Sequence, residues 1–368
     1  MNNKGENMTN LKKVGLTALA GSLAAVSAQA GELSVSGGAS LTYVTGETAN
    51  SAQSIGQASG FTLSGSGDLD NGWSVSHDII FGSAGAYSSS GTTITMGSMG
   101  SIGTGSALSI NGAYDEAYPR AYEEATDGDA SASDAFNDMG SFAGTNALIY
   151  NAPALDIAGA SVAIGVEYSP QASANATAGS GLARADATGE SLGIGVTITT
   201  EAGLTLGAYG ATMKDNQNMS ALTGNLANDA RQDAFDGTWF ANYSMGPVSI
   251  GYQTSYIDRG IEVTADTATT AAKTVGTSGG IFEGEAISIA FNVNDDLSVS
   301  YTDKEDTYDA QDGANSIADV TMNTESIQVA YSMGSMSVKA YSTETSNPNF
   351  DGNADKRTVT EIALGIAF

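Results

Sequence analysis

Two kinds of residue in this sequence could do chemistry: a single histidine and a set of clustered carboxylates. The histidine is His77, and the sequence contains no cysteine. A Ser-His-Asp triad would have to be built on His77, and a zinc site with three histidines is excluded. Carboxylates are hard oxygen ligands of the kind that Ca²⁺ binds. The paired acidic residues that could hold Ca²⁺ are Asp115, Glu116, Glu123, Glu124, Asp127 and Asp129.

The composition restricts the class of protein. The chain of 368 residues has 13 Lys and Arg against 41 Asp and Glu, a formal net charge of −28. So acidic a chain does not bind nucleic acid through its phosphates, because those contacts require clustered Lys and Arg. The 46 glycines and only 5 prolines argue against a helical bundle. Disorder is disfavoured because the 15 Tyr, 10 Phe and 2 Trp lie in alternating segments.

The first thirty residues are typical of a secretory signal peptide. Two lysines precede a short apolar stretch at 14–26, and an A-x-A cleavage site ends at Ala30. We therefore predict a signal peptide over 1–30, cleaved near Ala30, and a mature domain over 31–368. The second methionine, Met8, is an alternative start. The mature part contains no apolar run of about 18 residues, so no transmembrane helix is predicted there.

Apolar and small polar residues alternate along most of the mature chain. In the last segment, Ile362, Leu364, Ile366 and Phe368 alternate with Glu, Ala and Gly. This pattern predicts strands with one apolar and one polar face. The polar faces carry Ser, Thr, Gly and Ala instead of a second apolar set, which a barrel with lipid outside and water inside explains. Closure also removes the unpaired edges that a bilayer would penalise.

The pattern predicts sixteen strands, and strands of about ten residues suit a tilted membrane crossing. They lie near 32–44, 57–69, 72–82, 92–98, 101–111, 145–152, 160–168, 190–200, 203–213, 236–245, 247–257, 282–293, 297–303, 323–332, 335–344 and 357–368. Their connections alternate between short and long, as in outer-membrane barrels whose two ends differ. We therefore predict an all-β fold, a 16-stranded antiparallel transmembrane β-barrel.

Several short features carry a family resemblance. The mature chain opens with the strand GELSVSG at 31–37, and the strand FTLSG at 61–65 is followed by NGW at 71–73, which starts the next one. A long third connection follows strand five, and the chain ends on Phe368 behind Leu-Gly-Ile-Ala. Together these features resemble the general diffusion porins of Gram-negative bacteria, especially the alpha-proteobacterial trimeric type. The resemblance implies three barrels per assembly, each with its long third loop folded into the lumen.

The third loop of this chain would be the segment 112–144. Its length favours a functional role over a solvated acidic surface loop, which is the alternative interpretation. Its aromatic residues give it apolar surface to pack against an inner wall. We predict that 112–144 forms the pore constriction. The predicted constriction residues are Asp115, Glu116, Arg120, Glu123, Glu124, Asp127, Asp129, Asp134 and Asp138, with Lys339 on the wall.

The charges at this constriction predict a preference for cations. Low-dielectric walls focus the field of carboxylates at a narrow opening, so cations are attracted and anions repelled. In the resembled family, acidic residues of the third loop face a cluster of arginines. This chain departs from that pattern, because strand parity places Lys339 alone on the lumen face at mid-wall. The other bases, Lys304 among them, are predicted to lie in loops or at strand ends.

The resemblance also implies binding partners. They are outer-membrane lipid and lipopolysaccharide, two further copies in a homotrimer, and the barrel-assembly machinery through Phe368. We predict a Gram-negative outer-membrane location, no enzymatic activity and no cofactor besides a structural Ca²⁺.

Two other classes of protein are alternatives. A secreted surface-layer or adhesin-like structural β protein would share the composition without needing sixteen strands. An outer-membrane hydrolase would need His77 beside Ser or Asp at the barrel mouth, whereas the pattern puts it on the apolar stripe.

Overall fold

The strands of the protein form one antiparallel sheet in a computed structural model. The structure describes residues 31–47, 53–126, 147–170, 190–214, 233–258, 280–309 and 319–368. The sixteen strands are β1 Leu33–Glu47, β2 Gln53–Asp68, β3 Ser74–Phe81, β4 Tyr87–Thr95, β5 Ser101–Thr104, β6 Leu148–Asn151 with Leu155–Ile157, β7 Ala160–Ser169, β8 Ser191–Thr200, β9 Leu204–Met213, β10 Ala234–Met245, β11 Val248–Asp258, β12 Ile281–Asn292, β13 Leu297–Asp309, β14 Val320–Met333, β15 Met336–Ser346 and β16 Arg357–Ala367.

Strand β6 is interrupted at 152–154, where Pro153 has no N–H to give to a ladder. Its two pieces both pair with β7, so they count as one strand. The helical elements of the described residues are short 3₁₀ turns: Ser83–Gly85, Gly97–Met99, Asn111–Ala113, Glu123–Thr126 and Pro348–Phe350. Among these residues, no helix has the length and apolar character needed to cross a membrane.

The sheet closes on itself through its first and last strands. β1 pairs with β2 on one side and with β16 on the other, in a ladder that runs from Gly38↔Ala367 to Glu47↔Thr358. Phe368 continues the ladder, because it and Gly37 exchange both backbone hydrogen bonds at 2.9 Å. The predicted closed 16-stranded antiparallel barrel is therefore confirmed.

From β5 onward the connections alternate between long and short as predicted, whereas the four connections between β1 and β5 span five residues each, so the predicted long connection at 45–56 is wrong. The strand ends that differ most from the prediction are those of β5 and β13. β5 ends at Thr104 instead of 111, because Gly105 adopts φ 137° and the chain turns away. β13 continues to Asp309 instead of ending near 303. Its alternation of buried and exposed residues runs unbroken through the charged stretch at 303–306. The prediction that Lys304 lies in a loop or at a strand end is therefore wrong: it is a buried residue of the wall.

The two faces of the sheet differ in chemistry. Large apolar side chains such as Ile287 and Ile327 lie on the exposed face. The buried face carries many Ser, Thr, Gln, Gly and Ala residues, together with a cluster of buried apolar residues that includes Phe240, Phe282 and Tyr308. The exposed face of β12 to β14 also carries acidic residues, which face each other across the strands as Glu285↔Glu305 and Asp303↔Glu325. Part of the negative charge therefore lies on the side of the wall that the sequence analysis assigned to apolar residues.

Closure and register can be tested with engineered disulfides, because the chain has no native cysteine. Thr42 and Ala363 are partners on the same face and form a non-hydrogen-bonded pair, whose Cα atoms are typically about 4.5 Å apart. This separation lies within the range of disulfides. We expect the variant Thr42→Cys/Ala363→Cys to oxidise readily, as seen by a mobility shift on non-reducing electrophoresis. The control Thr42→Cys/Ile362→Cys should not form a disulfide, because its two side chains point to opposite faces of the sheet. Equal oxidation of both pairs would contradict the register.

Candidate functional site

The chain after β5 lies against the buried face of strands β7 to β16. We call residues 108–126 the wall segment. Its large side chains at every fourth position are buried, namely Ile110, Tyr114, Tyr118 and Tyr122. The aromatic residues that the sequence analysis expected to pack against a wall therefore do so within the described part of the loop.

The first half of the wall segment is anchored on a buried carboxylate. The Ile110 N–H donates to Glu167 Oε2 at 2.9 Å, and the other oxygen of Glu167 accepts a hydrogen bond from Tyr209. The Tyr114 ring packs on Tyr209, with ring centroids 5.5 Å apart. At Gly195 of β8, an added Cβ would lie 2.5 Å from the Tyr114 ring. The strand therefore needs a glycine where the segment passes.

The middle and the end of the wall segment are held by side chains of successive strands. Its backbone N–H and C=O groups have few partners of their own, and the wall supplies donors and acceptors to them. These bonds are Ala117 N–H to Gln253 Oε1 (2.6 Å), Asn242 Nδ2 to Ala117 O (2.5 Å), Ser288 Oγ to Pro119 O, Ala121 N–H to Ser300 Oγ (2.8 Å) and Thr343 Oγ1 to Ala125 O (2.5 Å). The segment is thus attached in order to β11, β10, β12, β13 and β15.

Glu116 is the centre of a cluster of charged and polar groups. Its Oε1 accepts hydrogen bonds from the hydroxyls of Thr126 (2.7 Å) and Tyr118 (3.1 Å), and its Oε2 accepts one from Arg120 Nη1 at 2.5 Å. Lys304 Nζ, from β13, lies 3.7 Å from Glu116 Oε1. One carboxylate therefore joins three residues of the wall segment to a buried lysine of the wall.

The environment of Glu116 keeps it ionised. Burial raises the pKa of this carboxyl, but the charges of Lys304 and Arg120, with the hydrogen bonds from Thr126 and Arg120, outweigh burial and hold the pKa below its ordinary value. Glu116 also has φ 41°, an unfavourable backbone conformation for a residue with a side chain. The contacts of its carboxylate offset this strain.

The end of the wall segment presents charge to open space. Glu123 is 80% exposed, and its Oε1 lies 3.8 Å from Arg120 Nη2. The Tyr122 hydroxyl donates to Glu361 Oε1 of β16 at 2.5 Å, and Lys339 Nζ lies 5.3 Å from the centre of the Tyr122 ring. The structure thus places the predicted residue Lys339 beside the wall segment.

The predicted site residues fall into three groups. Asp115, Glu116, Arg120 and Glu123 all belong to the wall segment, and Glu124 lies in its last turn. The others are outside the described residues: Asp127, Asp129, Asp134 and Asp138. Within the described ranges, no three carboxylate or histidine side chains are grouped so that they could hold a metal ion. The Ca²⁺ site therefore stays a prediction, and it depends on residues beyond 126.

Lys304 and Glu167 also hold the segment, and the sequence pattern does not predict this role for them. For Lys304 the signal for a position in the wall was present, because Thr302, Lys304, Asp306 and Tyr308 continue the alternation of β13. His77, the other candidate for chemistry, lies on the exposed face, with Nδ1 2.8 Å from Thr92 Oγ1.

An open cavity of about 670 Å³ lies against β1, β2, β15 and β16, the last two of which also contact the wall segment. Small residues of β1, β2, β15 and β16 line it, among them Gly38, Ala58, Ser337 and Gly365. The chain between residues 31 and 119 contains no Lys or Arg, whereas β3 carries Asp78. The arginine cluster of the resembled family therefore has no counterpart on β1 to β5.

Comparison with solved structures identifies the fold. The chain is similar to OmpF of Salmonella typhi, solved with daunomycin, at 13% identity and a TM-score of 0.62 over 92% of this chain and 98% of that one. It is similar to an anion-selective porin from Comamonas acidovorans at 13% identity and a TM-score of 0.57, over 92% and 99% of the two chains. A trimer form of the outer membrane protein OmpT of Vibrio cholerae matches at 14% identity and a TM-score of 0.55, over 91% and 99%. Neither a protein-family model nor a curated protein sequence matches the chain.

The lowered pKa of Glu116 gives a prediction for the pH dependence of the wall segment. An unfolded Glu titrates at about 4.3, and a carboxyl with a lower folded pKa stabilises the fold above that pH and loses its effect as the pH falls through the folded value. We expect a dye attached at Glu123→Cys to keep constant fluorescence anisotropy from pH 7 to about 4.3 and to gain mobility below it.

Adding Glu116→Gln should raise the mobility of the dye already at pH 7 and weaken the acid step. A dye at Ser335→Cys, in a short turn on another part of the barrel, serves as the control and should show no such step. A step that survives unchanged in Glu116→Gln would contradict the role of this carboxylate.

Proposed function

We propose that the protein is a channel of the Gram-negative outer membrane, through which ions and small hydrophilic solutes diffuse passively, with a preference for cations. The observation that carries this proposal is the closed barrel whose exposed face carries large apolar side chains, while the other face carries many Ser, Thr, Gln, Gly and Ala residues beside a buried apolar cluster. Such a wall suits lipid on one side and water on the other. A surface-layer or adhesin-like protein does not require it.

The wall segment is the proposed constriction. It is attached to strands on the β7 to β16 part of the barrel, and the cavity lies against β15, β16, β1 and β2. In this proposal the segment fills the part of the lumen along β7 to β14, the passage runs along the small residues of β1 and β2, and β15 and β16 border both. Solutes are then limited by size at this level.

The fold does not decide the sign of the selectivity, because a barrel with a similar fold is described as anion-selective. The charges of this chain favour cations. Arg120 has its charge offset by Glu116, while Glu123 remains exposed. The wall formed by β1 to β5 carries acidic residues such as Asp78 and no bases. Lys339, beside Tyr122, is the positive charge expected to weaken the preference.

The rest of the proposal rests on sequence features and on the form of one similar structure. The stretch 1–30 would direct the chain to secretion and be cleaved near Ala30, and Phe368 would be read by the barrel-assembly machinery. The OmpT structure described as a trimer form supports a homotrimer. Outer-membrane lipid and lipopolysaccharide would contact the exposed face. The likeness to the alpha-proteobacterial type rests on the sequence motifs alone.

Selectivity can be measured in planar bilayers with a KCl gradient. We expect the sign of the reversal potential to show that cations are preferred. The preference should be weaker at 1 M salt, because the Debye length falls from about 10 Å at 0.1 M to about 3 Å at 1 M. Glu123→Gln should move the reversal potential toward zero. The control Asp295→Asn removes one charge in an exposed turn far from the segment and should leave the reversal potential unchanged. An anion preference would contradict the charge argument, and an absence of conductance would contradict the channel.

Contact of the exposed face with lipid can be tested by stability. Ile289→Arg places a charge among apolar residues of β12 and should cost about 2–4 kcal/mol if the site lies near the bilayer midplane. The control Glu283→Arg lies on the same face of the same strand, nearer the long connection, and should cost less than about 1 kcal/mol. Urea unfolding in lipid vesicles measures both. Equal, small costs would indicate that lipid does not cover this face.

A further inference from the structure

We propose that Lys304 is a positioning residue that keeps the wall segment on the wall and out of the passage. This inference rests on the proposed channel function. The sequence pattern predicts that Lys304 lies in a loop or at a strand end. In the structure, its side chain is one of the most deeply buried of the described barrel.

The geometry places Lys304 behind the centre of the segment. The side chain is 1% exposed and points from β13 to the Glu116 carboxylate, with Nζ 3.7 Å from Oε1. Asp306, two residues along the strand on the same face, lies 3.8 Å from the same Nζ. The neighbours of Lys304 in the ladder, Ala286 and Thr324, are small and leave room for the long side chain.

The contact acts on much of the segment at once. The Glu116 carboxylate binds Tyr118, Arg120 and Thr126, so the hold of Lys304 on Glu116 is transmitted to the turn between 116 and 126. The other attachments of that turn to the wall include neutral hydrogen bonds, such as Ala121 N–H to Ser300 Oγ. Lys304 and Glu116 form an ion pair that is almost fully buried on both sides, and removing one member of such a pair leaves the other charge buried with less compensation, which costs more than the loss of a neutral hydrogen bond. Loss of the ion pair should therefore matter more than loss of a neutral hydrogen bond, and the Tyr122 hydroxyl on the Glu361 carboxylate is a second attachment of that turn to an ionised group.

A segment released from the wall has one direction in which to move. The wall blocks it on one side, and the passage lies on the other. Loss of the contact should therefore produce partial closures of an open channel, instead of a uniformly wider pore.

The test uses single-channel recordings of the full protein. Lys304→Met removes the charge and keeps much of the length, and we expect frequent partial closures that lower the mean conductance at least about twofold. Lys304→Arg retains the charge and should conduct more like the wild type than Lys304→Met does. Glu116→Gln removes the other half of the pair, and should cause the same kind of closures. Adding it to Lys304→Met should have little further effect, because the interaction is already lost.

A tether separates positioning from a direct effect of the charge. Thr343 Oγ1 donates to Ala125 O at 2.5 Å, so the two residues are in contact, and a cysteine pair at these positions is the proposed tether of the segment to β15, its formation checked by non-reducing electrophoresis. In the Lys304→Met background, the oxidised pair Ala125→Cys/Thr343→Cys should suppress the closures, and reduction should restore them. The same cysteine pair with Lys304 intact is the reference.

Each outcome is decisive for one claim. Closures that persist in the oxidised tether, or a Lys304→Met channel that conducts like the wild type, would overturn the positioning role. If Lys304→Met does not fold, as judged by loss of its heat-resistant compact band, Glu116→Gln and its tethered form carry the test, and normal conductance of Glu116→Gln overturns the role. Failure of the wild type to conduct would contradict the proposed channel and not the part played by Lys304.

Discussion

Every backbone N–H and C=O group in the wall has to find a partner within the sheet, and closure is what achieves this. The register of β1 against β16, extended by Phe368, leaves neither of these strands with a free edge. The same pairing decides which side chains meet on each face, because a slip of one residue would exchange the two faces. The contrast between apolar and polar faces, and with it the capacity to separate lipid from water, follows from that register.

The wall segment meets the same requirement without belonging to the sheet. Its backbone groups are bonded by side chains of the wall, such as Gln253 to Ala117 and Thr343 to Ala125. A buried backbone group left without a partner would cost about 1–3 kcal/mol. The polar residues of the buried face therefore have a second role besides facing water. They fix the position of a segment that has no regular structure of its own beyond short turns, and so they shape the space that remains.

The sequence was sufficient for the barrel, but not for the contacts of the segment that follows β5. Period-two alternation is a local property, so it located all sixteen strands, with ends mostly within a few residues. The attachment of Glu116 to Lys304 joins residues far apart in the chain, and no local pattern reports it. β13 also shows that a charged run is a poor indicator of where a strand ends. A buried charge that has a partner can occupy an inward-facing position of a strand, just as a threonine can. Glu167 lies within the predicted strand 160–168, but its contact with Ile110 is again between residues far apart in the chain, which no local pattern reports.

Net charge alone would mislead about selectivity in this barrel. Some carboxylates, such as Glu285 and Glu305, lie on the exposed face, away from the proposed passage. Glu116 is buried and offset by Arg120 and Lys304. Glu123, at 80% exposure, is different, because its charge faces open space at the end of the segment. Of the formal charge of −28, the described part of the wall segment therefore leaves few groups uncovered at the proposed constriction. The residues that fix this segment therefore influence selectivity as much as the acidic residues themselves.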